Sequence, residues 1–268
     1  MSQFTEEVWD DLQALRALCP VTHNITNYVV MNNTANALLA VGAAPIMAHA
    51  HEEIDDIVAI AHALVVNIGT LSESWIKVMF EAMAAARARG IPVVLDPVGA
   101  GASRLRTETA MRMLNEVTPT IMRGNASEIT ALWVAGAATR GVDSALDGGE
   151  ALDAARGLVK RHKLVVSISG PTDYIVDAAG VTRVMNGHAI MPRVTGLGCT
   201  ASALTGAFAA VAATPARGAS SAMAVMGIAG EMAADKSEGP GTFQAAFLDA
   251  LYRMDGKDIK ARLRMSRT

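Results

Sequence analysis

Val194-Thr-Gly-Leu-Gly-Cys-Thr200 leads directly into a run of strong helix formers, Ala201-Ser-Ala-Leu-Thr-Gly-Ala-Phe-Ala-Ala210. Because glycine has no Cβ, backbone N–H groups can converge in such a turn without side chains in the way. The start of the next helix adds unpaired N–H groups and the positive end of its dipole. This pattern is typical of a site for a phosphate, or for the charge that develops during phosphate transfer. It is equally compatible with a plain strand–helix turn that buries a cysteine.

The composition favours helices packed on a buried sheet. Hydrophobic residues make up 51% of the 268 residues but aromatic residues only 4%, so small and aliphatic side chains must form the core. That balance is less suited to an all-β sandwich. Neither a linker, a charge block nor a low-complexity segment interrupts the sequence, so we expect one domain over residues 1–268.

Charge and cysteine content exclude several classes of protein. The net charge of -3 comes without a clustered basic face, so we expect no nucleic-acid partner, and we interpret residues 257–267 as a solvated basic end. No apolar run is as long as a membrane span, and the first residues are acidic where a signal peptide is basic. The two distant cysteines, Cys19 and Cys199, predict neither a zinc site nor a disulfide framework. We therefore expect a cytoplasmic protein that does not bind membranes.

Apolar and amphipathic segments alternate along the chain. Strands are predicted near residues 45, 66, 94, 121 and 167, and a hairpin about residues 177–180. Helices are predicted at residues 5–18, 52–64, 73–89, 107–117, 144–163, 199–213, 220–236 and 243–254. Repeating βα units predict a three-layer α/β/α fold, with a mostly parallel sheet between two helical layers.

Charged residues follow two of these strands. Asp96 ends an apolar strand before a Pro- and Gly-rich loop, where α/β sheets bind ligands. It could hold Mg²⁺, orient a hydroxyl, or only cap its own loop. Asn125 and Glu128 resemble a capping box, and the functional alternative assigns Glu128 to water or metal. Arg123 beside them is suited to a phosphate.

Amides, hydroxyls and one imidazole crowd residues 22–36. Neutral donors and acceptors of this kind can line a pocket for a polar small molecule, although they also cap helices. We interpret the segment as a ligand wall. His49 and His51 are assigned no metal. The polar set is Thr22, His23, Asn24, Thr26, Asn27, Asn32, Asn33, Thr34 and Asn36.

Several motifs in a fixed order resemble those of the hydroxyethylthiazole kinase family, which belongs to the ribokinase-like superfamily. They are Val21-Thr-His-Asn-Ile-Thr-Asn-Tyr-Val, Asp96-Pro-Val-Gly-Ala-Gly, Arg123-Gly-Asn-Ala-Ser-Glu, Asn186-Gly-His, Thr195-Gly-Leu-Gly-Cys and Gly239-Pro-Gly-Thr-Phe-Gln. The resemblance runs from about residue 20 to residue 247. One motif alone would be weak, but the ordered set is specific.

The resemblance implies ATP-dependent phosphorylation of the hydroxyl of 4-methyl-5-(2-hydroxyethyl)thiazole in thiamine salvage. It implies a homotrimer with its sites at subunit interfaces, and Mg²⁺ as the cofactor. By resemblance, Met47, Asn27 and Gly196 contact the thiazole substrate. The positions that resemble those for ATP are Arg123, Gly198 and Ser169, with serine in place of the usual threonine, and those for Mg²⁺ and its waters are Asp96 and Glu128.

Cys199 takes the position at which the wider superfamily usually has an aspartate, the base. A thiol has a pKa of about 8.5, which falls at a helix N-terminus, so a thiolate base is one interpretation. Alternatively Cys199 only shapes the pocket, since phosphoryl transfer needs little base strength. Under the base hypothesis, Cys199→Asp keeps or raises turnover and Cys199→Ala lowers it modestly. Complete loss of activity in Cys199→Asp would count against it.

Other functions on the same fold remain open. They are a pyrimidine- or pyridoxal-type kinase, an ATP-dependent hydrate dehydratase, and a nucleotide-binding regulator without turnover. The Asn-rich segment and Cys199 fit a thiazole kinase better than the first two. A regulator predicts missing metal ligands or a blocked turn, whereas Asp96, Glu128, Gly196 and Gly198 are all present.

Overall fold

Nine strands form one sheet in the computed structural model, which describes residues 3–138 and 150–268. The spatial order is β2-β1-β3-β4-β5-β6-β7-β8-β9. The strands are β1 (Val21–Ile25), β2 (Ala44–Ile46), β3 (Ala63–Asn67), β4 (Val93–Asp96), β5 (Ile121–Asn125), β6 (Val165–Ser169), β7 (Asp173–Asp177), β8 (Gly180–Val184) and β9 (Met265–Arg267). The prediction of a single domain over residues 1–268 stays a prediction.

The sheet is parallel from β2 to β6 and antiparallel from β6 to β9. The predicted hairpin is confirmed as β7 and β8. Asp177 closes its turn, because its Oδ1 accepts the N–H groups of Ala179 and Gly180, both at 2.9 Å. Side-chain capping of this kind is common in tight turns.

Helices cover both faces of the sheet, which confirms the three-layer prediction. One core contains side chains of α1, α2, α8, α9, α10 and α11, and the other those of α3 to α7. The helices are α1 (Gln3–Leu18), α2 (Met31–Val41), α3 (Ile54–Ile60), α4 (Glu73–Ala88), α5 (Arg104–Glu116), α6 (Ala126–Ala138), α7 (Glu150–His162), α8 (Leu197–Ala209), α9 (Pro215–Ala234), α10 (Pro240–Arg253) and α11 (Gly256–Arg262).

The helix α4 illustrates how local sequence sets these elements. Ser72 caps its first turn, because the Ser72 Oγ accepts the N–H of Trp75 at 3.3 Å. Trp75, Met79 and Met83 then recur at helical spacing, and all three are buried against the sheet. Gly90 follows the helix with a φ of +71°, a left-handed conformation that glycine adopts without strain.

The helix α8 lies closer to the sheet than a side chain would allow. A Cβ on Gly206 would lie 2.5 Å from Val65 Cγ2 of β3, so the close approach requires glycine. Residues 200–208 of α8 are all buried. Since the helix is fixed against β3, its N-terminus is held at the carboxyl end of the parallel strands.

The structure corrects several predicted boundaries. The strand β1 was missed, because its polar side chains hid the strand pattern. Residues 257–267, interpreted as a solvated end, are mostly exposed or half-buried, but they also form most of α11 and the edge strand β9. The helix predicted over residues 52–64 covers only Ile54–Ile60, and residues 144–149 of another predicted helix lie outside the described residues. None of the helices in the described part of the chain has the length and hydropathy to cross a membrane.

Candidate active site

Polar side chains of the parallel sheet gather at the carboxyl ends of its strands. The strand β3 ends at Asn67 and β4 at Asp96, and these two residues are register partners. The strand β6 ends at Ser169, which pairs in register with Asn125 of β5. Adjacent parallel strands end at the same edge, so these residues share the edge at which α/β proteins bind ligands.

The opening motif forms the N-terminus of α8 at this edge. Gly196 precedes the helix with a φ of +85°, and a Cβ there would lie 2.7 Å from Val30 Cγ1. No side chain of the described residues caps the helix, whose first hydrogen bond runs from the Thr200 N–H to the Gly196 carbonyl at 2.8 Å. The preceding N–H groups of the first turn are therefore available to an anion, as are those of other helix N-termini.

Arg123 adds a cation beside this turn. Its Nη1 donates to the Gly198 carbonyl at 2.9 Å, and the residue is 7% exposed. Its buried Nε has no hydrogen-bond partner among the described residues. A buried guanidinium with an unused donor is suited to an oxyanion ligand. Ser169 lies on the next strand, half-buried, with its Oγ donating to the Gly124 carbonyl at 3.4 Å.

Asp96 is held through one of its two carboxylate oxygens. Its Oδ2 accepts from Asn67 Nδ2 and from Ser202 Oγ, both at 2.7 Å. No donor within residues 3–138 or 150–268 bonds to its Oδ1. The carboxylate is 1% exposed. Two fixed donors on one oxygen orient the other toward a ligand.

The pKa of Asp96 is raised to about 6, chiefly by burial and in part by the negative charge of Glu128. Arg123 and the donors Ser202 and Asn67 act in the opposite direction, because they stabilise the charged form. A carboxylate kept in a dry site at this energetic cost is a feature of functional sites.

Glu128 performs the capping role predicted for it. Its Oε2 accepts the N–H of Asn125 at 2.8 Å, and Asn125 Oδ1 accepts the N–H of Glu128 at 2.9 Å. Its Oε1 accepts the N–H of Gly99 at 2.8 Å, in the loop after Asp96. The carboxylate therefore ties the Asp96 loop to the start of α6. Each oxygen retains a lone pair, so capping does not prevent it from accepting a metal-bound water.

The donor set of this edge fits Mg²⁺. Among the described residues, no group of three or more His, Cys, Asp or Glu side chains could form a protein cage for a metal. Mg²⁺ does not need such a cage, because it usually binds through one or two carboxylates, waters and substrate phosphates. Asp96 Oδ1, with Glu128 nearby, has this chemistry.

The neutral part of the edge is built around Asn27, directly after β1. Its Nδ2 donates to Asn67 Oδ1 at 2.9 Å and to Cys199 Sγ at 3.4 Å, and the residue is 4% exposed. Met47 follows β2, the neighbour of β1, and is half-buried. Asn27, Cys199 and Asp96 thus belong to one hydrogen-bonded group, while Met47 lies at the end of an adjacent strand.

The expectation of a lowered pKa for Cys199 is wrong. Burial raises the pKa of its thiol, and the nearby negative charge of Asp96 raises it further. Hydrogen bonds from Asn27 and Asn67 and the charge of Arg123 counteract this only partly. At neutral pH the thiol is therefore protonated, which favours the interpretation of Cys199 as a group that shapes the pocket.

The interpretation of residues 22–36 as one ligand wall stays a prediction, and several of their amides bond to one another or to their own backbone. Asn24 Nδ2 donates to the Thr22 carbonyl at 2.8 Å within β1. Asn32 and Asn36 bond to each other on the exposed side of α2, at 3.0 Å. These amides therefore bond within their own strand and helix, whereas the buried His23 Nδ1, Asn24 Oδ1 and Thr34 Oγ1 have no partner among the described residues. Asn27 is the member of the segment that bonds to Asn67 and Cys199 of the site.

Three polar residues of this region were missed from sequence. Asn67 and Ser202 hold Asp96, as described above. Asp173, at the start of β7, accepts the N–H of Gly170 at 3.0 Å and lies in the field of Arg123; burial raises its pKa to about 6. The position of Asn67 at the end of an apolar parallel strand was a usable signal. Ser202 and Asp173 carried none, because only tertiary packing brings them here.

Curated relatives match nearly the whole chain. A family model described as "Hydroxyethylthiazole kinase family" matches residues 12–257. A hydroxyethylthiazole kinase of Nitratidesulfovibrio vulgaris is 56% identical over 98% of both chains. One of Syntrophus aciditrophicus is 57% identical over 97% of both chains.

Solved structures give the same assignment at the level of the fold. The structure of a hydroxyethylthiazole kinase protein from Pyrococcus horikoshii has a TM-score of 0.92 and 38% identity, covering 98% of this chain and 99% of that one. A pyridoxal kinase from Staphylococcus aureus in complex with AMP-PCP has a TM-score of 0.64 at 15% identity, covering 92% and 98%, and supports the fold alone. On its sequence, its fold and the edge just described, the chain belongs to the hydroxyethylthiazole kinase family.

Proposed function

We propose that the protein transfers the γ-phosphoryl group of ATP to the hydroxyl of 4-methyl-5-(2-hydroxyethyl)thiazole, in thiamine salvage. In this step a bond forms between the alcohol oxygen and the γ-phosphorus, the β–γ bridging P–O bond breaks, and ADP leaves. The observation that carries the proposal is the hydrogen-bonded group at one sheet edge. It joins an anion-binding turn and a buried arginine to a neutral amide, Asn27.

The charged half of the site suits the phosphates. Phosphoryl transfer needs positioning and charge neutralisation more than covalent chemistry. The first-turn N–H groups that follow Gly196, including that of Gly198, are available to the γ-phosphoryl oxygens. Arg123 supplies a positive charge beside them, and Ser169 a hydroxyl on the adjacent strand. These donors are fixed before the charge develops, which is the arrangement that stabilises a transition state.

Mg²⁺ would be held by Asp96, with Glu128 bonding to its waters, and would neutralise phosphate charge when bound with ATP. The support is that no donor among the described residues bonds to Asp96 Oδ1, and that Glu128 is close enough to raise the pKa of Asp96. Asn67 and Ser202 keep that oxygen oriented, because both donate to Oδ2.

The neutral half suits the thiazole alcohol. We assign Asn27, Met47 and Gly196 to it, and Cys199 to the group nearest the reacting hydroxyl. With its raised pKa, Cys199 acts as a neutral thiol that shapes the pocket. The hydroxyl proton then leaves to solvent or phosphate, because a loose transition state requires little base strength.

A coupled assay of ADP release tests this function against its alternatives. We expect turnover with the thiazole alcohol to exceed that with pyridoxal or hydroxymethylpyrimidine. Asn27→Ala is expected to raise the KM for the alcohol, whereas Asn36→Ala, an exposed amide of the same segment, is the matched control. ADP release that is fastest with another alcohol refutes the assignment, and no release with any alcohol favours a binding protein.

We also propose a cytoplasmic homotrimer with sites at subunit interfaces. Tyr28 and Val29, next to Asn27, are 63% and 65% exposed, and Leu39 of α2 is 59% exposed. Exposed apolar side chains next to a site, as at Tyr28 and Val29, are typical of an interface. Light scattering in solution should give three times the mass of the 27.9 kDa chain, and Val29→Asp should reduce both mass and activity. The cysteines are both free, which suits a reducing compartment.

A further inference from the structure

Asn67 lies between the two halves of the site without belonging to either. It accepts from Asn27 on one side and donates to Asp96 on the other, at 2.9 and 2.7 Å. We propose that Asn67 is a positioning residue that fixes the Asn27 amide with its carbonyl oxygen toward the substrate pocket. The site thereby selects a substrate that donates a hydrogen bond, an alcohol. This inference rests on the proposed placement of Asn27 at the alcohol.

The direction of each hydrogen bond follows from charge. An ionised carboxylate can only accept, so Asp96 requires the Nδ2 of Asn67 to face it. The Oδ1 of Asn67 must then face Asn27, which donates a hydrogen bond to it from its own Nδ2. The orientations of amide side chains are assigned from such hydrogen-bond networks. Here the network starts from the Asp96 carboxylate, which can only accept hydrogen bonds.

A second contact fixes the same orientation independently. The backbone N–H of Gly69 donates to Asn67 Oδ1 at 3.0 Å, and a backbone N–H cannot accept. Gly69 also closes the space around Asn27, because a Cβ at Gly69 would lie 2.7 Å from Asn27 Nδ2. Reversal of the Asn67 amide would therefore oppose two donors to each other at Gly69 and two acceptors at Asp96.

The Oδ1 of Asn27 is the side-chain atom that remains available for a hydrogen bond with the substrate. Its Nδ2 is used by Asn67 and by Cys199 Sγ. No donor in the described parts of the chain bonds to its Oδ1. An amide oxygen held in this way accepts a hydrogen bond from a hydroxyl group, but it cannot form one with an ether, a halide or an alkyl group.

The test compares binding of the alcohol with binding of 4-methyl-5-ethylthiazole, which lacks the hydroxyl. Calorimetry without ATP or Mg²⁺ gives the ratio of the two dissociation constants. In the wild type we expect the alcohol to bind about tenfold more tightly, the effect of one hydrogen bond. In Asn67→Ala the Asn27 amide can turn, and we expect the ratio to fall below about threefold.

Two further variants separate positioning from general damage. Ser202→Ala removes the other donor to Asp96 but leaves Asn67 on Asn27, so it should lower kcat and keep the binding ratio. Asn67→Asp keeps an acceptor for Gly69 and Asn27, and its other oxygen must share a proton with Asp96, because two ionised carboxylates cannot lie 2.7 Å apart. This variant should therefore keep the ratio of dissociation constants even if kcat falls, and it tests the inference if Asn67→Ala does not fold.

An unchanged ratio in folded Asn67→Ala, or a lost ratio in folded Asn67→Asp, would overturn the inference. Failure of the wild type to phosphorylate the alcohol would instead refute the proposed function.

Discussion

Replacing Asp96 by asparagine should stabilise the protein while abolishing its activity. The folded protein raises the pKa of Asp96 from 3.8 to about 6, chiefly by burial. At pH 7.5 the carboxylate of Asp96 is ionised in the folded state, where burial makes this charged form less stable than it is in water. The difference between these pKa values corresponds to about 3 kcal/mol of unfolding free energy. Asparagine retains an oxygen for Asn67 and Ser202 and avoids this cost.

The sign of the pH dependence follows from proton binding. Between pH 3.8 and about 6 the folded state binds the Asp96 proton more tightly than the unfolded state. Raising the pH from 3.8 to about 6 therefore lowers the free energy of unfolding of the wild type. Asp96→Asn lacks the titrating carboxyl group, so this contribution is absent from the variant. The advantage of the variant should be about 1 kcal/mol at pH 4.5 and about 3 kcal/mol at pH 7.5. Asp173 titrates in the same window, but it is present in both proteins and cancels.

Urea denaturation in EDTA, at pH 4.5 and 7.5, measures both differences. The matched control is Asp255→Asn, an exposed cap of α11 whose pKa is lowered by the N–H groups of Asp258 and Lys257. Asparagine caps almost as well as aspartate, so this variant should change little at pH 7.5. If Asp96→Asn is less stable than the wild type at pH 7.5, or if its advantage does not shrink in acid, the argument from burial is refuted. Retained phosphotransfer in the variant would remove Asp96 from the metal site.

Three further substitutions test the turn and its neighbours. Gly196→Ala forces a Cβ to within 2.7 Å of Val30 Cγ1 at a φ of +85°, so thermal unfolding should show a loss of about 1–3 kcal/mol and turnover should fall sharply; a stable, active variant would contradict this. Arg123→Lys should raise the KM for ATP and lower kcat, about 100-fold in kcat/KM, because an ammonium cannot reproduce the fork of donors; near-normal kinetics would exclude a phosphate role. Cys199→Ala should lower kcat less than about tenfold and leave the pH–rate profile between pH 7 and 9 unchanged, since the thiol pKa is raised; loss of a limb from that profile would restore the base.

The layers of the fold were predictable because they rest on periodic patterns. The stripe of Trp75, Met79 and Met83 repeats at helical spacing, and the apolar strand before Asp96 marks a buried parallel strand. The strand β1 lacks such an apolar pattern, because its buried Thr22 and Asn24 side chains are polar and donate to the carbonyls of Pro20 and Thr22. Buried polar side chains of this kind look like a loop in sequence.

The candidate site was predictable only where chemistry and position coincide. Asp96 is a charged residue at the end of β4, and Arg123 is a charged residue within β5 whose guanidinium reaches the Gly198 carbonyl at the same edge. Ser202 could not be found in that way, since its hydroxyl meets Asp96 across the gap between a helix and the sheet. The predicted direction of the pKa shift of Cys199 was wrong, because local sequence indicates the helix N-terminus but neither the burial of the thiol nor the nearby Asp96 carboxylate. The assignments of Met47 and Ser169 to substrate and ATP stay predictions.

The buried helix α8 divides its own amides into two populations that deuterium can distinguish. Those of its first turn precede the first helical hydrogen bond and face the edge of the sheet, so they should exchange within the dead time of an experiment. From residue 200 to residue 208 the helix is buried, and its amides should be among the last to exchange. A nucleotide that binds the turn would accept hydrogen bonds from the first-turn amides, which would then exchange as slowly as the buried ones. Mass spectrometry of one peptide therefore reports occupancy of the phosphate end without any chemistry taking place.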